Sequence, residues 1–211
     1  MAGHLIQSGA HTDARLLDRI YRLRAEVFIG NLGWDIPALS RREIDEYDTE
    51  ETIYGAVTDE IGDLEGCFRL VPTTGPYMLK DIFPQLLYGA APPGNARVWE
   101  ASRVAVKPSV LKGRSIFGLN EITAHLLILQ LEYCLLNDIH MVVSVTDLRF
   151  ERILRSAGLP CERFGPPMRI FNTTTVAGYM RPSPEALASV WTAYLDFRRK
   201  RTAAPAQHHA A

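Results

Sequence analysis

The chain has 211 residues, a length that fits one domain around a single core. Hydrophobic residues at 47% and charged residues at 22% suit a globular enzyme, and a net charge of -1 argues against a general nucleic-acid binder, which carries a basic excess. Three widely spaced cysteines and six scattered histidines give neither a disulfide framework nor metal-ligand spacing, so no metal site is expected.

No charged and apolar leader opens the chain. The most apolar stretch, Leu126 to Leu136, is interrupted by Gln130 and Glu132 and is too short to span a bilayer. The expectation is a cytoplasmic monomer that binds neither membrane nor nucleic acid. Residues 1–200 read as the domain, and 201–211, Ala-rich from Thr202, as a disordered tail.

A first helix is predicted from an N-cap at Thr12 to about Ile29, with Leu16, Leu17, Ile20, Leu23, Val27 and Phe28 at helical spacing. Gly30 to Ser40 breaks that pattern. Arg41 to Glu51 is densely charged without an apolar stripe, so its order must come from specific partners. Strands are predicted at Thr52 to Val57 and Leu64 to Val71, joined through Asp59 and Gly62. Pro72 to Pro76 reads as a turn, Leu79 to Leu87 as a short helical piece and Arg97 to Val106 as a third strand.

A long helix follows from about Gly118 to Leu136, then a buried strand from Met141 to Thr146. Asp147 is the expected N-cap of a helix through Ala157, and Gly158 its C′ residue. Arg169 to Phe171 and Thr173 to Tyr179 are expected to pair, and Ser183-Pro184 opens a last helix to about Arg199. This order predicts an α/β fold: a single-domain, three-layer sandwich with a mixed, mostly antiparallel sheet and helices on both faces.

The informative residues are charges where the pattern calls for apolar side chains. Arg24, four residues from both Ile20 and Phe28, falls on the first helix's apolar stripe and must meet carboxylates, for which Asp45 and Asp48 are natural candidates. Arg69 interrupts one strand, and Glu100 and Arg103 another. Any one of these fits a structural ion-pair network; the set together, three of them on strands, favours a polar site. On a regular strand Glu100 and Arg103 face opposite sides, so sharing a site requires a bulge or a strand end, and a bulge is predicted here.

The stretches RLRAEVFIGNLGWD (Arg22 to Asp35), EIDEYD (Glu43 to Asp48), FRLVPTTGPYMLKDIFPQLL (Phe68 to Leu87) and VWEASRVAV (Val98 to Val106) closely resemble the LuxI-type acyl-homoserine lactone synthases, up to about Pro167. Eight positions define that family's pattern, and Arg24, Phe28, Trp34, Asp45, Asp48, Arg69, Glu100 and Arg103 match them. The resemblance implies a fold related to GCN5-type N-acetyltransferases. It also implies a reaction that acylates the amine of S-adenosylmethionine and then closes a lactone, releasing methylthioadenosine and a quorum-sensing signal. S-adenosylmethionine would be a consumed substrate rather than a cofactor; the acyl donor would be an acyl-acyl carrier protein or an acyl-CoA. Ala101 and Val104 stand where leucine and phenylalanine are frequent in that family, which leaves the acyl preference open.

On that reading Glu100 is the expected base that frees the attacking amine, oriented by Arg103; its structural alternative is a plain partner of that arginine. Asp45 and Asp48 would oppose the ammonium and sulfonium, and Arg24, Arg69 or Arg103 would grip the carboxylate. Trp34 and Phe28 would cover the adenine or sulfonium, with Phe28 equally readable as core. A backbone N–H near Ser102 to Val104 would meet the oxyanion. The acyl tail is expected against Ser102, Val104 and the run Val142 to Thr146, including Val143, with Leu127 and Leu131. Thr146 matches a position where threonine accompanies 3-oxo-acyl substrates in the family. Two basic clusters are candidate docking surfaces for an acidic carrier: Lys107, Lys112 and Arg114, or Arg149, Arg152 and Arg155. The nearest rival is an acyl-CoA-dependent N-acyltransferase of the same fold acting on a different amine, although Lys112-Gly113-Arg114 and Gly118 make a poor pyrophosphate turn. A lipid-signal receptor would need a DNA-binding helix-turn-helix, for which no residues are left over.

Overall fold

The computed structural model describes residues 3–8, 13–36, 39–111 and 119–203. The chain runs β1 (Gly3–Ser8), α1 (Ala14–Arg24), β2 (Ile53–Thr58), β3 (Leu64–Pro72), α2 (Met78–Asp81), β4 (Val98–Val106), α3 (Pro108–Leu111), α4 (Glu121–Leu136), β5 (Met141–Asp147), α5 (Leu148–Ser156), β6 (Glu162–Arg163), β7 (Met168–Ile170), β8 (Thr173–Met180) and α6 (Pro184–Ala203). All strands join one sheet in the order β1-β2-β3-β4-β5-β8-β6, with β7 also on β8. Among the described residues only β4 and β5 run parallel, and every other pair is antiparallel.

The sheet separates two apolar layers. Phe68, Leu70 and Ala101 project toward α4, α5 and α6 and share a core with Leu126, Leu131, Leu154 and Val190. Cys67 and Ala105 project to the other side, onto Leu16, Ile20, Leu23 and Phe28 of the first helical segment. On that same side Val71 and Val143 pack against Tyr47, Tyr77 and Leu79. Each fully buried leucine or isoleucine adds about 1.5–3 kcal/mol. Gly66 lets α4 lie close to β3, since a Cβ there would sit 2.7 Å from Ile122 and 3.0 Å from Leu126.

The fold class and the helix–strand order match the sequence reading, with differences in detail. The N-cap of α1 is Asp13, whose carboxylate accepts from the Arg15 N–H at 2.6 Å; Thr12 lies outside the described residues. The α-helix ends at Arg24 and continues as a π-helical turn, Ala25–Asn31, rather than running unchanged to Ile29. Strands β1 and β6 were not anticipated. Asp147 does cap α5, accepting from Phe150 N–H at 2.7 Å, and Gly158 follows with φ +80°. The last helix continues to Ala203, and 204–211 lie outside the described residues.

Candidate active site

Residues 103 and 104 of β4 together oppose only Phe68 of β3. The register places Cys67 against Ala105 and Arg69 against Ser102, so one residue is extra, and Arg103 takes a left-handed φ of 54°. This is the bulge predicted between Glu100 and Arg103, and it turns both side chains to the α1 side of the sheet. Arg69 arrives on the same side from β3, with Tyr54 of β2 directly beside it.

Three guanidinium groups and three carboxylates meet there. Arg24 donates to Glu43 at 2.5 Å and to both oxygens of Asp48 at 2.7 and 2.9 Å. Arg69 is paired with Asp45, reaches Asp48 at 2.9 Å and donates through Nε to Ser102 Oγ at 3.1 Å. Arg103 donates through Nε to Glu43 at 3.1 Å and through Nη2 to Asp45 at 2.8 Å. The Tyr54 hydroxyl donates to Asp48 at 2.8 Å. The side chains of Arg24, Arg69 and Asp48 are at most 1% exposed. Burial opposes ionisation of Asp48, but hydrogen bonds and charge from Arg24 and Arg69 win and hold its carboxyl below the usual range. The charged segment after Ser40 is thus ordered by its partners.

One nitrogen in the cluster is only weakly engaged. Arg103 Nη1 faces the thioether of Met78 at 3.2 Å, a poor acceptor beside the carboxylates that hold the other guanidinium nitrogens.

Glu100 stands apart from this pairing. Its carboxylate accepts from the backbone N–H groups of Met78 at 2.9 Å and Leu79 at 2.7 Å, at the start of α2. The expected orientation of Glu100 by Arg103 is therefore corrected: Arg103 is taken up by Glu43 and Asp45, and two main-chain donors orient Glu100. Burial drives the Glu100 carboxyl up to about 7, against the two backbone hydrogen bonds and the charges of Arg69 and Arg103. That value suits a group exchanging a proton near neutrality.

Above the cluster lie the two aromatic residues. Phe28, in the π-helical turn, stacks on Trp34 with centroids 4.8 Å apart and planes at 18°. Arg103 sits 5.6 Å from the Phe28 centroid. Gly33 makes the turn into Trp34 with φ +65°, and Trp34 remains 39% exposed. π-Helical turns of this kind gather at functional sites.

Beyond Glu100 the sheet forks. Strands β4 and β5 pair only from Val98, Trp99 and Glu100 to Met141, Val142 and Val143, yet β4 continues to Val106 and β5 to Asp147. The four expected acyl-lining residues are divided around this fork. Val104 packs against the α4 layer, while Val143 is sealed on the opposite side with Tyr77 and Leu79. Ser102 is held by Arg69, and strand alternation turns Thr146 to the α4 side with Val142. Of the basic clusters, 112–118 lie outside the described residues; Arg149, Arg152 and Arg155 lie on α5, directly after β5. No group of three His, Cys, Asp or Glu suited to a metal occurs among the described residues, and none of their helices is long and apolar enough to cross a membrane.

Sequence reasoning did not single out Glu43, Tyr54 or Met78. Glu43 was within reach, since it lies two and five residues before Asp45 and Asp48 in a segment without apolar order. Tyr54 and Met78 read as ordinary apolar positions, and only the paired strands reveal their contacts.

The family profile described as "Autoinducer synthase" matches residues 9–190. The chain belongs to the autoinducer synthase family. As an autoinducer synthase it is an acyltransferase, and its curated relatives carry the name acyl-homoserine-lactone synthase. The one from Pseudomonas aeruginosa is 38% identical over 160 residues, 75% of this chain and 78% of that protein. Among solved structures, the acyl-homoserine lactone synthase LasI superposes with a TM-score of 0.79 at 32% identity, covering 91% of this chain and 96% of that one. BjaI, described as CoA-dependent and solved with S-adenosylmethionine and isopentyl-CoA, gives 0.82 at 25% identity, covering 91% and 89%. An N-acetyltransferase from Lactobacillus plantarum, at 15% identity and a TM-score of 0.58 over 86% of this chain and 99% of that one, shares the fold alone.

Proposed function

We propose that this autoinducer synthase acylates the α-amine of S-adenosylmethionine from an acyl thioester and then closes the homoserine lactone with loss of methylthioadenosine. The observation that carries this reading is the bulge at Arg103, which sets a weakly engaged guanidinium nitrogen and a near-neutral carboxyl on one side of the sheet, beneath the stacked pair of buried Phe28 and exposed Trp34.

Each group suits one part of that substrate. Arg103 Nη1 exchanges the Met78 sulfur for the substrate carboxylate, a far stronger acceptor. Asp45, 13% exposed in its side chain, opposes the cationic centres. Arg24 and Asp48 are too enclosed to touch a ligand and hold Arg69, Asp45 and Glu43 in place. Trp34 and Phe28 cover the sulfonium or adenine through their π faces. Glu100 takes the proton of the ammonium, and the free amine attacks the thioester carbonyl. The extra residue of the bulge leaves a backbone N–H near Ser102 to Val104 outside the ladder, available to the oxyanion. The tetrahedral intermediate collapses and the carrier thiol departs. The carboxylate then attacks the γ-carbon, the C–S bond breaks, and the electron pair leaves on sulfur as neutral thioether.

The fork is the path for the acyl thioester, its tail passing Val104, Val142 and Thr146 toward Leu127 and Leu131 of α4. Arg149, Arg152 and Arg155 at the end of β5 suit an acidic acyl carrier protein as donor; an acyl-CoA is the alternative. The test is to incubate the protein with S-adenosylmethionine and a panel of acyl-carrier-protein and CoA thioesters, and follow methylthioadenosine and lactone by mass spectrometry. Methylthioadenosine that forms only when an acyl donor is present is the expected result. Acyl transfer to another amine without methylthioadenosine would establish the rival N-acyltransferase instead.

A further inference from the structure

Helix α4 is enclosed almost throughout, and one of its buried side chains, Gln130, is a primary amide only 4% exposed. No hydrogen bond reaches that amide from any described residue, although a buried amide left unpaired is costly. Neither of its polar atoms is sealed off completely, so both border space that water can enter.

The helix phase shows where this amide points. Glu121 and His125 face α6, where both meet Tyr194. Leu126 lies over Gly66 of β3, and Tyr133 meets Trp99 of β4 edge to face at 6.4 Å. At about 100° per residue, Gln130 stands roughly 40° from Leu126, 60° from Leu127 and about 140° from His125. It therefore points away from α6 and onto the sheet. Gly66 pairs with Val106 and Trp99 lies at the other end of β4, so α4 runs antiparallel to β4. One turn back from Tyr133 along the helix axis, Gln130 comes level with Ala101 and its cross-strand partner Leu70. Ala101, a small residue, faces α4 and is the first one past Glu100, where β4 and β5 cease to pair.

We infer that Gln130 is a specificity-determining residue whose amide recognises an oxygen on the acyl chain, within a few carbons of the thioester. The inference rests on the acyl path given above. An apolar channel with one well-placed polar group selects for its complement, because a chain without that oxygen leaves the amide unpaired. The neighbours of Ala101, Ser102 to Val104, form the bulge proposed above to meet the thioester carbonyl. An oxygen close to the carbonyl is therefore the one within reach. Ketone and hydroxyl groups at C3 share this chemistry.

The experiment compares kcat/KM for donors of equal length: unsubstituted, 3-oxo, 3-hydroxy, and hydroxylated at the far end. The same panel is run on Gln130→Met, which keeps the volume, and on Thr146→Val. The wild type is expected to favour a 3-oxygenated donor by roughly tenfold or more, and Gln130→Met to erase most of that ratio while still turning over the unsubstituted donor. A ratio unchanged within about twofold in Gln130→Met would overturn the inference. So would a preference confined to the far-end hydroxyl, or one that Thr146→Val alone abolishes. Lactone formed from the unsubstituted donor in every case keeps the overall reaction separate from this specificity claim.

Discussion

On the α1 side of the bulge, three arginines and three carboxylates drawn from α1, the segment after Ser40, β3 and β4 pair with one another, and Arg103 Nη1 is left on the Met78 sulfur. A few residues away, between β4 and β5, backbone that could have paired is left apart. The cluster depends on its internal pairing: its charges are buried, and each is tolerable only because its partners stay. The fork depends on the opposite condition, since paired strands would leave no passage. A synthase of this kind needs both, a rigid seat for a small charged substrate and an opening for a long apolar one. The bulge at Arg103 joins them, because it interrupts the pairing with β3 just past the point where β4 leaves β5.

The largest effect is expected at Asp48. Asp48→Ala strips partners from Arg24 and Arg69 inside the protein and should cost about 3–5 kcal/mol, read from urea unfolding. Near-normal stability would show that the cluster is not the closed unit described. Next is Glu100→Gln, which keeps the size but cannot take a proton, and whose single amide oxygen accepts from only one of the Met78 and Leu79 N–H groups. The turnover number should fall about 10²–10⁴-fold while S-adenosylmethionine binding, measured by calorimetry, holds.

The same group sets a pH dependence. A base must be ionised to act, so wild-type kcat/KM should rise with pH through about 7 and then flatten. Stability runs the other way. Because the folded value lies above the unfolded one, this contribution is complete below the ordinary glutamate range and is lost as pH rises through about 7. Glu100→Gln should lack both trends, and a matching pH profile in the two proteins would remove Glu100 as the base.

A smaller effect is expected at the rim. Trp34→Ala should raise the KM for S-adenosylmethionine by about 2–30-fold with little change in kcat, the size of a lost cation–π contact. The smallest lies at the edge of the cluster. Tyr54→Phe removes one donor from Asp48 and should cost about 0.5–1.5 kcal/mol of stability with a modest rise in the same KM. A loss as large as that from Asp48→Ala would mean the hydroxyl, not the ion pairs, closes the cluster.

These two regions also differ in how far they could be read from the sequence. Arg24, Arg69, Glu100 and Arg103 announced themselves because each interrupts an apolar period, and a charge in such a place must find a partner. Strand alternation alone then required the bulge. The fork left no comparable trace: Val98 to Val106 and Met141 to Asp147 look alike along their whole lengths, and only their pairing in space shows that three residues of each touch. For the same reason the expected acyl-lining set mixed the two faces of β5. Glu100 was found by its charge but given the wrong partner, since main-chain donors from Met78 and Leu79 have no signature in side-chain patterns.

The most direct test is a crystal structure with S-adenosylmethionine bound. The ligand carboxylate is expected within about 3 Å of Arg103 Nη1, where the Met78 sulfur now lies, and its amine within reach of Glu100 directly or through one water. A ligand seated instead in the hollow lined by Tyr47, Thr49, Glu50 and Pro76, with Arg103 still on Met78, would contradict it.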